Sequence, residues 1–177
     1  MKTSYHCLAL LSALLFSACA TIDGSQAPAI SGQAPWVILP FANNTETPLA
    51  AGRAEAVAES LLRANGIARL RSYPAALQQE ALFATGERKP YDAALAWARA
   101  EGARYALTGS VAEWRYKVGV DGEPAVGIAV SIVDVASGEI LWSGVGAQSG
   151  WSREALAAVA QQLLRKLLAS GLANRQD

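Results

Sequence analysis

The pattern of apolar positions in the second half of the chain is that of β-strands. Apolar and small residues alternate at 126–132, which is the two-residue period of a strand that buries one face. An Asp-Gly pair at 121–122 is a hairpin turn signal before this run, and the segment 134–138 turns the chain after it. With the strand-like segments 103–119 and 139–147, the pattern predicts an antiparallel meander of three strands.

The first half of the chain mixes short apolar runs with helical spacing. Trp36–Pro40 is continuously apolar, which indicates a strand covered on both faces, and 67–73 predicts a second short strand. Thr47 followed by proline predicts a helix N-cap, and that helix continues to about residue 64. Further helices are predicted at 74–85 and 91–101.

The last helix has the clearest pattern in the chain. Ser152 is its predicted N-cap and Gly171 its predicted stop. Its apolar stripe has a spacing of about 3.6 residues and consists of Leu156, Val159, Ala160, Leu163, Leu164, Leu167 and Leu168. The predicted order is β-α-β-α-α-β-β-β-α, an α/β (α+β) fold in which helices pack on one mixed sheet.

The start of the chain has the pattern of a bacterial lipoprotein export signal. Lys2 supplies a positive charge, and a hydrophobic run follows at 7–16. This run is about ten residues long, whereas a membrane-spanning helix needs about 20. The small residues Ser17 and Ala18 then precede Cys19, as in a lipobox.

This pattern predicts how the chain is divided. Residues 1–18 form a signal peptide, 19–34 a lipidated cysteine with a flexible tether, and 35–177 a single folded domain. The thiol of Cys19 is the expected site of lipid attachment. The alternative is ordinary secretion with cleavage at Ala18 or Ala20.

Removal of the signal also limits the chemistry of the mature chain. The single histidine, His6, and one of the two cysteines, Cys7, lie within 1–18. The mature chain then has no imidazole, and acylation occupies its remaining thiol. We therefore expect no Ser/His/Asp or Cys/His centre, no histidine- or cysteine-based metal site, no cofactor and no enzymatic activity. The net charge is zero and there is no basic run, which argues against nucleic acid as a partner.

Three segments resemble motifs of one superfamily. These are Val-Ile-Leu-Pro-Phe-Ala-Asn at 37–43, Gly-Ala-Arg-Tyr-Ala-Leu-Thr-Gly-Ser at 102–110, and the Asp-to-Trp hairpin at 134–142. They resemble the CsgG/LpoB/TolB-N-like superfamily, and within it the Pel-type exopolysaccharide-export lipoproteins. The loop at 43–48 and Trp151 are similar to that group as well. The chain has no room for the membrane-spanning strands of CsgG-like pores, and its predicted tether is shorter than that of LpoB-like activators.

The resemblance implies both a location and an assembly. Ala20, and not aspartate, follows the lipidated cysteine, which implies the periplasmic face of the outer membrane. The group implies a homo-oligomeric ring, a dodecamer, that guides a cationic polysaccharide to the outer-membrane barrel PelB. Such rings present an acidic side to the polymer and an aromatic side to the membrane lipid. The alternative within the superfamily is an LpoB-like activator of a peptidoglycan synthase.

Four residues are candidates for special roles. Trp151 suits a membrane-facing aromatic, but its spacing to Leu156 also fits a hydrophobic staple at the start of the last helix. Asp121 and Glu123 flank a hairpin glycine; they are either turn residues or, when repeated around a ring, carboxylates that attract a cationic polymer. Asp134 is expected to bond the backbone of its own turn.

Overall fold

The computed structural model describes residues 20–81, 89–119 and 122–176. The predicted signal peptide, Cys19 and Asp121 lie outside these ranges, as do the end of the helix predicted at 74–85 and part of the turn that follows it.

The described residues form nine strands and four helices. The strands are β1 (Ala20–Gly24), β2 (Ile30–Ser31), β3 (Trp36–Ile38), β4 (Ala42–Asn43), β5 (Leu70–Ser72), β6 (Tyr105–Tyr116), β7 (Pro124–Asp134), β8 (Ile140–Ser149) and β9 (Arg175–Gln176). The helices are α1 (Ala50–Ala64), α2 (Ala75–Ala81), α3 (Lys89–Ala100) and α4 (Leu156–Gly171). In the part of the chain that the structure describes, no helix has both the length and the apolar character to cross a bilayer.

The centre of the fold is the meander β6-β7-β8. Its strands pair antiparallel, with Tyr116 opposite Pro124 and Ala125 opposite Ser149. The main sheet has the order β1-β8-β7-β6-β3-β5, with β4 also paired to β6. β3 runs parallel to both β5 and β6. The predicted meander, the mixed sheet and the order of the major elements are confirmed.

The two faces of the sheet are covered unequally. On one face, α1 and α4 pack against the alternating side chains of β7 and against Trp36, Trp114 and Trp142, which forms the larger core. On the other face, α3 covers a smaller cluster that includes Leu39, Ala106 and Val133. Leucines of α4 such as Leu163 and Leu164 are completely buried, so the stripe predicted for the last helix is the stripe that faces the core.

Within the segment predicted as a flexible tether, 19–34, the structure has two short strands, β1 and β2. Ala20–Gly24 is an edge strand that pairs with β8, from Ala20 opposite Gln148 to Gly24 opposite Gly144. Ile22 packs on the larger core. The segment has little apolar periodicity because an edge strand gains most of its order from backbone hydrogen bonds, which do not depend on residue type. Thus the sheet begins one residue after the predicted lipid site.

Both helix N-caps predicted from the sequence were placed too early. α4 is preceded by Ala155 and not by Ser152, because Arg153 adopts the left-handed φ of 68° and interrupts helical geometry. α1 is preceded by Leu49, which has a φ of 61° and no side-chain cap. The Thr47 hydroxyl instead donates a hydrogen bond of 2.6 Å to the Trp114 carbonyl.

Candidate functional site

Three chain segments meet at one end of the main sheet. β6 ends and β7 begins here, with Tyr116 opposite Pro124, and Ala125 is opposite Ser149 at the end of β8. β1 starts at the same end, since Ala20 lies opposite Gln148. We call this region the anchor end. It consists of Ala20, residues 116–119 and 122–124 of the β6–β7 hairpin, and residues 149–154 between β8 and α4.

The backbone around Trp151 is held in place by Glu154. The Trp151 N–H donates to one oxygen of the Glu154 carboxylate at 3.0 Å, and Gln162 on α4 donates to the other at 3.2 Å. Gly150 donates its N–H to the Pro124 carbonyl at 2.9 Å, which ties this loop to the β6–β7 hairpin. A Cβ on Gly150 would lie 2.5 Å from the Val159 side chain and 2.8 Å from the Pro124 ring, so the close approach requires glycine.

Exposed apolar side chains gather at the anchor end. The Trp151 side chain is 56% exposed, Tyr116 is 50% exposed and Val118 is fully exposed. The staple interpretation of Trp151 requires a helix capped at Ser152, and α4 begins later than that. An indole combines an apolar ring with one N–H donor, which suits the boundary between a bilayer and water.

The hairpin tip carries charge beside this apolar group. The Lys117 N–H donates to the Glu123 carbonyl at 2.7 Å, and the two side chains form an ion pair of 3.5 Å. Each of these side chains is 45% exposed, so the pair is solvated and Lys117 offsets much of the Glu123 charge. Asp121, the other predicted acid of this tip, lies outside the described residues.

The hairpin acid and the aromatic candidate therefore share one end of the sheet. The resemblance implies an acidic side and an aromatic side of a ring, but Glu123 and Trp151 are not at opposite ends of the subunit. Sequence reasoning also missed Tyr116, Val118 and Glu154. An available signal was the apolar Val118 close to a predicted turn, where polar residues are the rule.

Asp134 lies at the opposite end, in the β7–β8 turn. Its carboxylate accepts N–H bonds from Ala136 at 3.0 Å and Ser137 at 3.1 Å, and it pairs with Arg104 at 2.9 Å. The predicted bonding of its own turn is confirmed. The hydrogen bond from Ser137, together with the nearby charge of Arg104, lowers the pKa of Asp134 below its ordinary value of 3.8.

This lowered pKa predicts a pH-dependent loss of stability. We expect Asp134→Asn to lower the free energy of unfolding by about 1–3 kcal/mol at pH 7. The unfolded chain binds the proton at a higher pH than the folded chain does. The contribution of the carboxylate is therefore present above the unfolded pKa of about 4 and is lost as the pH falls through the lower folded pKa. Urea unfolding from pH 7 to pH 3 should show the wild-type and variant curves converging.

Glu139→Gln is the matched control, because Glu139 is exposed in the same turn and belongs to none of the ion pairs among the described residues. Its expected effect is within about 0.5 kcal/mol. A gap between the Asp134→Asn and wild-type curves that stays constant down to pH 3 would contradict the assigned role of the carboxylate.

Comparison with solved structures defines first the class of fold and then the family. The chain shares its fold with the lipoprotein GNA1162 from Neisseria meningitidis at 20% identity, with 80% of this chain and 99% of that chain covered and a TM-score of 0.55. The fold is therefore one that a bacterial lipoprotein is known to adopt. Neither a protein-family model nor a curated protein matches the chain.

A PelC dodecamer from Paraburkholderia phytofirmans is more similar. It is 41% identical, with 89% of this chain and 100% of that chain covered and a TM-score of 0.74. A PelC variant from the same organism, also a dodecamer, has the same identity and TM-score over 86% and 97% of the two chains. At this identity and coverage, the chain belongs to the PelC family.

Proposed function

We propose that the chain is a lipid-anchored component of Pel-type exopolysaccharide export at the periplasmic face of the outer membrane. In this proposal it forms a homo-oligomeric ring that guides a cationic polysaccharide toward the outer-membrane barrel PelB, without catalysing a reaction. The observation that carries the proposal is the 41% identity to a PelC dodecamer over 89% of the chain.

The features of the anchor end favour an orientation in which this end of the subunit faces the membrane. β1 starts at Ala20, so only about 3.8 Å of backbone separates the Cα of the proposed lipidated Cys19 from the sheet. The same end carries the exposed Trp151 and Val118. A short link and an apolar surface on one side favour a subunit seated directly on the bilayer, with its strands running away from the membrane.

In this orientation, the acidic β6–β7 hairpin faces the membrane as well. Because Glu123 belongs to the anchor end, the proposal puts its carboxylate on the membrane side of the ring, where the polymer leaves for the barrel. Lys117 offsets part of the charge of Glu123, so the proposal relies on Asp121 as a second acid of the hairpin. A carboxylate repeated around an opening concentrates cations, and weak attraction at each site lets the polymer move on.

Secretion in cells tests this function. Deleting the gene should abolish export of the cationic polysaccharide, and the wild-type gene should restore it. Asp121→Asn with Glu123→Gln should lower secretion several-fold, because the opening loses its attraction for cations, while the protein stays folded and membrane-bound. Glu139→Gln, an exposed acid in the β7–β8 turn at the other end, is the matched control and should secrete normally. Normal export in the deletion strain would refute the function; unchanged export by the double variant alone would remove the two acids from it.

Trp151→Ala tests the seating on the membrane. In a Cys19→Ser background, which removes the lipid, we expect the tryptophan variant to bind anionic vesicles about 5- to 30-fold more weakly. This range corresponds to about 1–2 kcal/mol for one interfacial aromatic side chain. Vesicle sedimentation provides the measurement.

The matched control for Trp151→Ala is Ile140→Ala, because Ile140 is 59% exposed at the opposite end of β8. It should leave vesicle binding unchanged. If Trp151→Ala instead lowers the melting temperature and binds vesicles normally, the residue has a structural role only.

A further inference from the structure

The described residues cover only about half of one face of the main sheet. Beyond the cluster under α3, the rest of this face forms an open groove of about 800 Å³ that crosses β1, β8, β7 and β6. We call it the sheet face. It is lined by the small residues Ala112, Gly127, Ala129 and Ala147 and by the acids Asp23 and Glu46.

The sheet face differs from an ordinary solvated face of an antiparallel sheet. Such a face usually carries polar side chains at alternate positions. Here Val145 is 53% exposed and Ala147 is also exposed, and Gly127 and Ala129 lie on the neighbouring strand. Short side chains let another surface approach the strands closely, so this face is shaped for a broad, fairly flat partner.

The opposite side of the subunit has matching properties. The outward residues of α1 include Gly52, Ala56 and Ser60, which succeed one another at helical spacing of four residues and are all exposed. We call the exposed surface of α1 and α4 the helix face. Its cations include Arg53 on α1 and Arg165 on α4, both exposed.

The two faces carry charges of opposite sign, and several of these charges form no ion pair within the described part of the subunit. Among the ion pairs of the described residues, none includes Arg53 or Arg165 of the helix face, and none includes Asp23 or Glu46 of the sheet face. The remaining acid of the groove, Glu113, already pairs with Arg115 at 2.9 Å. The sheet face is therefore net acidic, and the helix face carries unpaired arginines.

We propose that the sheet face of one subunit binds the helix face of a second copy of this chain. The inference rests on the proposed ring and names its interface. The two faces lie on opposite sides of the sheet, so each copy has one of each, which makes the contact heterologous and allows a ring to close. With the strands along the ring axis, every anchor end lies on the same rim.

A charge exchange between the two faces tests the interface. The full-length gene is expressed and the protein is purified in detergent from membranes. One variant carries Asp23→Lys and Glu46→Lys, so both of its faces are basic. The other carries Arg53→Glu and Arg165→Glu, so both of its faces are acidic. Each alone should need at least a tenfold higher concentration to assemble. An equimolar mixture should recover wild-type assembly, because unlike faces then alternate.

Steric blocks provide a second measurement. Ala147→Arg blocks the sheet face and Ala56→Arg blocks the helix face; both sites are exposed, so the subunit should keep its melting temperature. Each variant alone should sediment as a monomer, and the mixture should form a one-to-one dimer through its two intact faces. The matched control is Ala136→Arg in the exposed β7–β8 turn, which should assemble like the wild type.

The possible results distinguish a failure of the proposed interface from a failure of the proposed ring. Wild-type protein that assembles while both blocked variants also assemble normally would overturn the interface and leave the ring intact. Loss of assembly in the two charge variants without recovery on mixing would also overturn the pairing of these two faces. A wild-type monomer at all concentrations would overturn the ring and the interface together, although the secretion result would still decide whether the chain takes part in export.

Discussion

Replacing Trp142 by alanine is expected to lower the free energy of unfolding by about 3–5 kcal/mol. The indole is 1% exposed, and its N–H donates to the Ser25 carbonyl at 3.0 Å. Two glycines pack against the ring: a Cβ on Gly144 or Gly171 would lie 2.5 Å or 2.8 Å from it. These glycines have no side chains with which to fill the space that alanine leaves, so a cavity remains.

The variant should also loosen the first strand. Trp142 holds Ser25, which directly follows the end of β1, so its loss removes one of the contacts that fix the chain near the proposed lipid site. Urea unfolding measures the stability. Relative to the wild type, the rate of amide hydrogen exchange should increase more at residues 20–24 than at the centre of β7. Trp151→Ala is the control with the same chemical change, and its expected loss is below about 1 kcal/mol because the side chain is 56% exposed. Equal losses for the two variants would contradict the assignment of Trp142 to the core.

Replacing Cys19 by serine is expected to move the protein from the membrane fraction to the soluble periplasmic fraction. Each buried methylene of an acyl chain contributes about 0.8 kcal/mol to membrane binding, so removing the lipid should lower the partition coefficient on the order of a thousandfold or more. Trp151 and the rest of the anchor end then retain only weak binding. If the chain has the proposed function, secretion should fall together with attachment, because the proposed ring would then be detached from the outer membrane that holds the proposed barrel.

Cys7→Ser is the matched control for this change. Cys7 lies in the predicted signal peptide, so the same substitution there should leave the mature protein lipidated and attached. Fractionation followed by mass spectrometry of the mature amino terminus measures both results. A Cys19→Ser protein that still sediments with membranes, or an unmodified terminus in the wild type, would refute the proposed lipid anchor.

The sequence predicted the elements whose signals are local. Alternation at 126–132 identified the central strand of the meander, and the stripe of α4 identified the helix that buries the larger core. It did not predict β1, since Ile22 is the one large apolar side chain in that strand and a single residue shows no period. Nor did it predict where α4 begins. The helix starts later than expected because the Glu154 carboxylate accepts the backbone N–H of Trp151 and Arg153 takes a left-handed conformation.

In the candidate site, too, the residues could be predicted from the sequence but their relative positions could not. Trp151 and Glu123 could be chosen from the sequence as an aromatic residue and a turn acid. That they share one end with the start of β1 could not be predicted, because it depends on the register of four paired strands.

Local spacing and composition were therefore enough to predict the class of fold and the residue types available for chemistry, and they are the basis of the proposed export signal. Two features became clear only from the folded structure: β1 begins at Ala20, and the described residues leave half of one sheet face open. Both features arise from pairing and packing between distant segments, and backbone hydrogen bonds across an edge strand leave little trace in residue type.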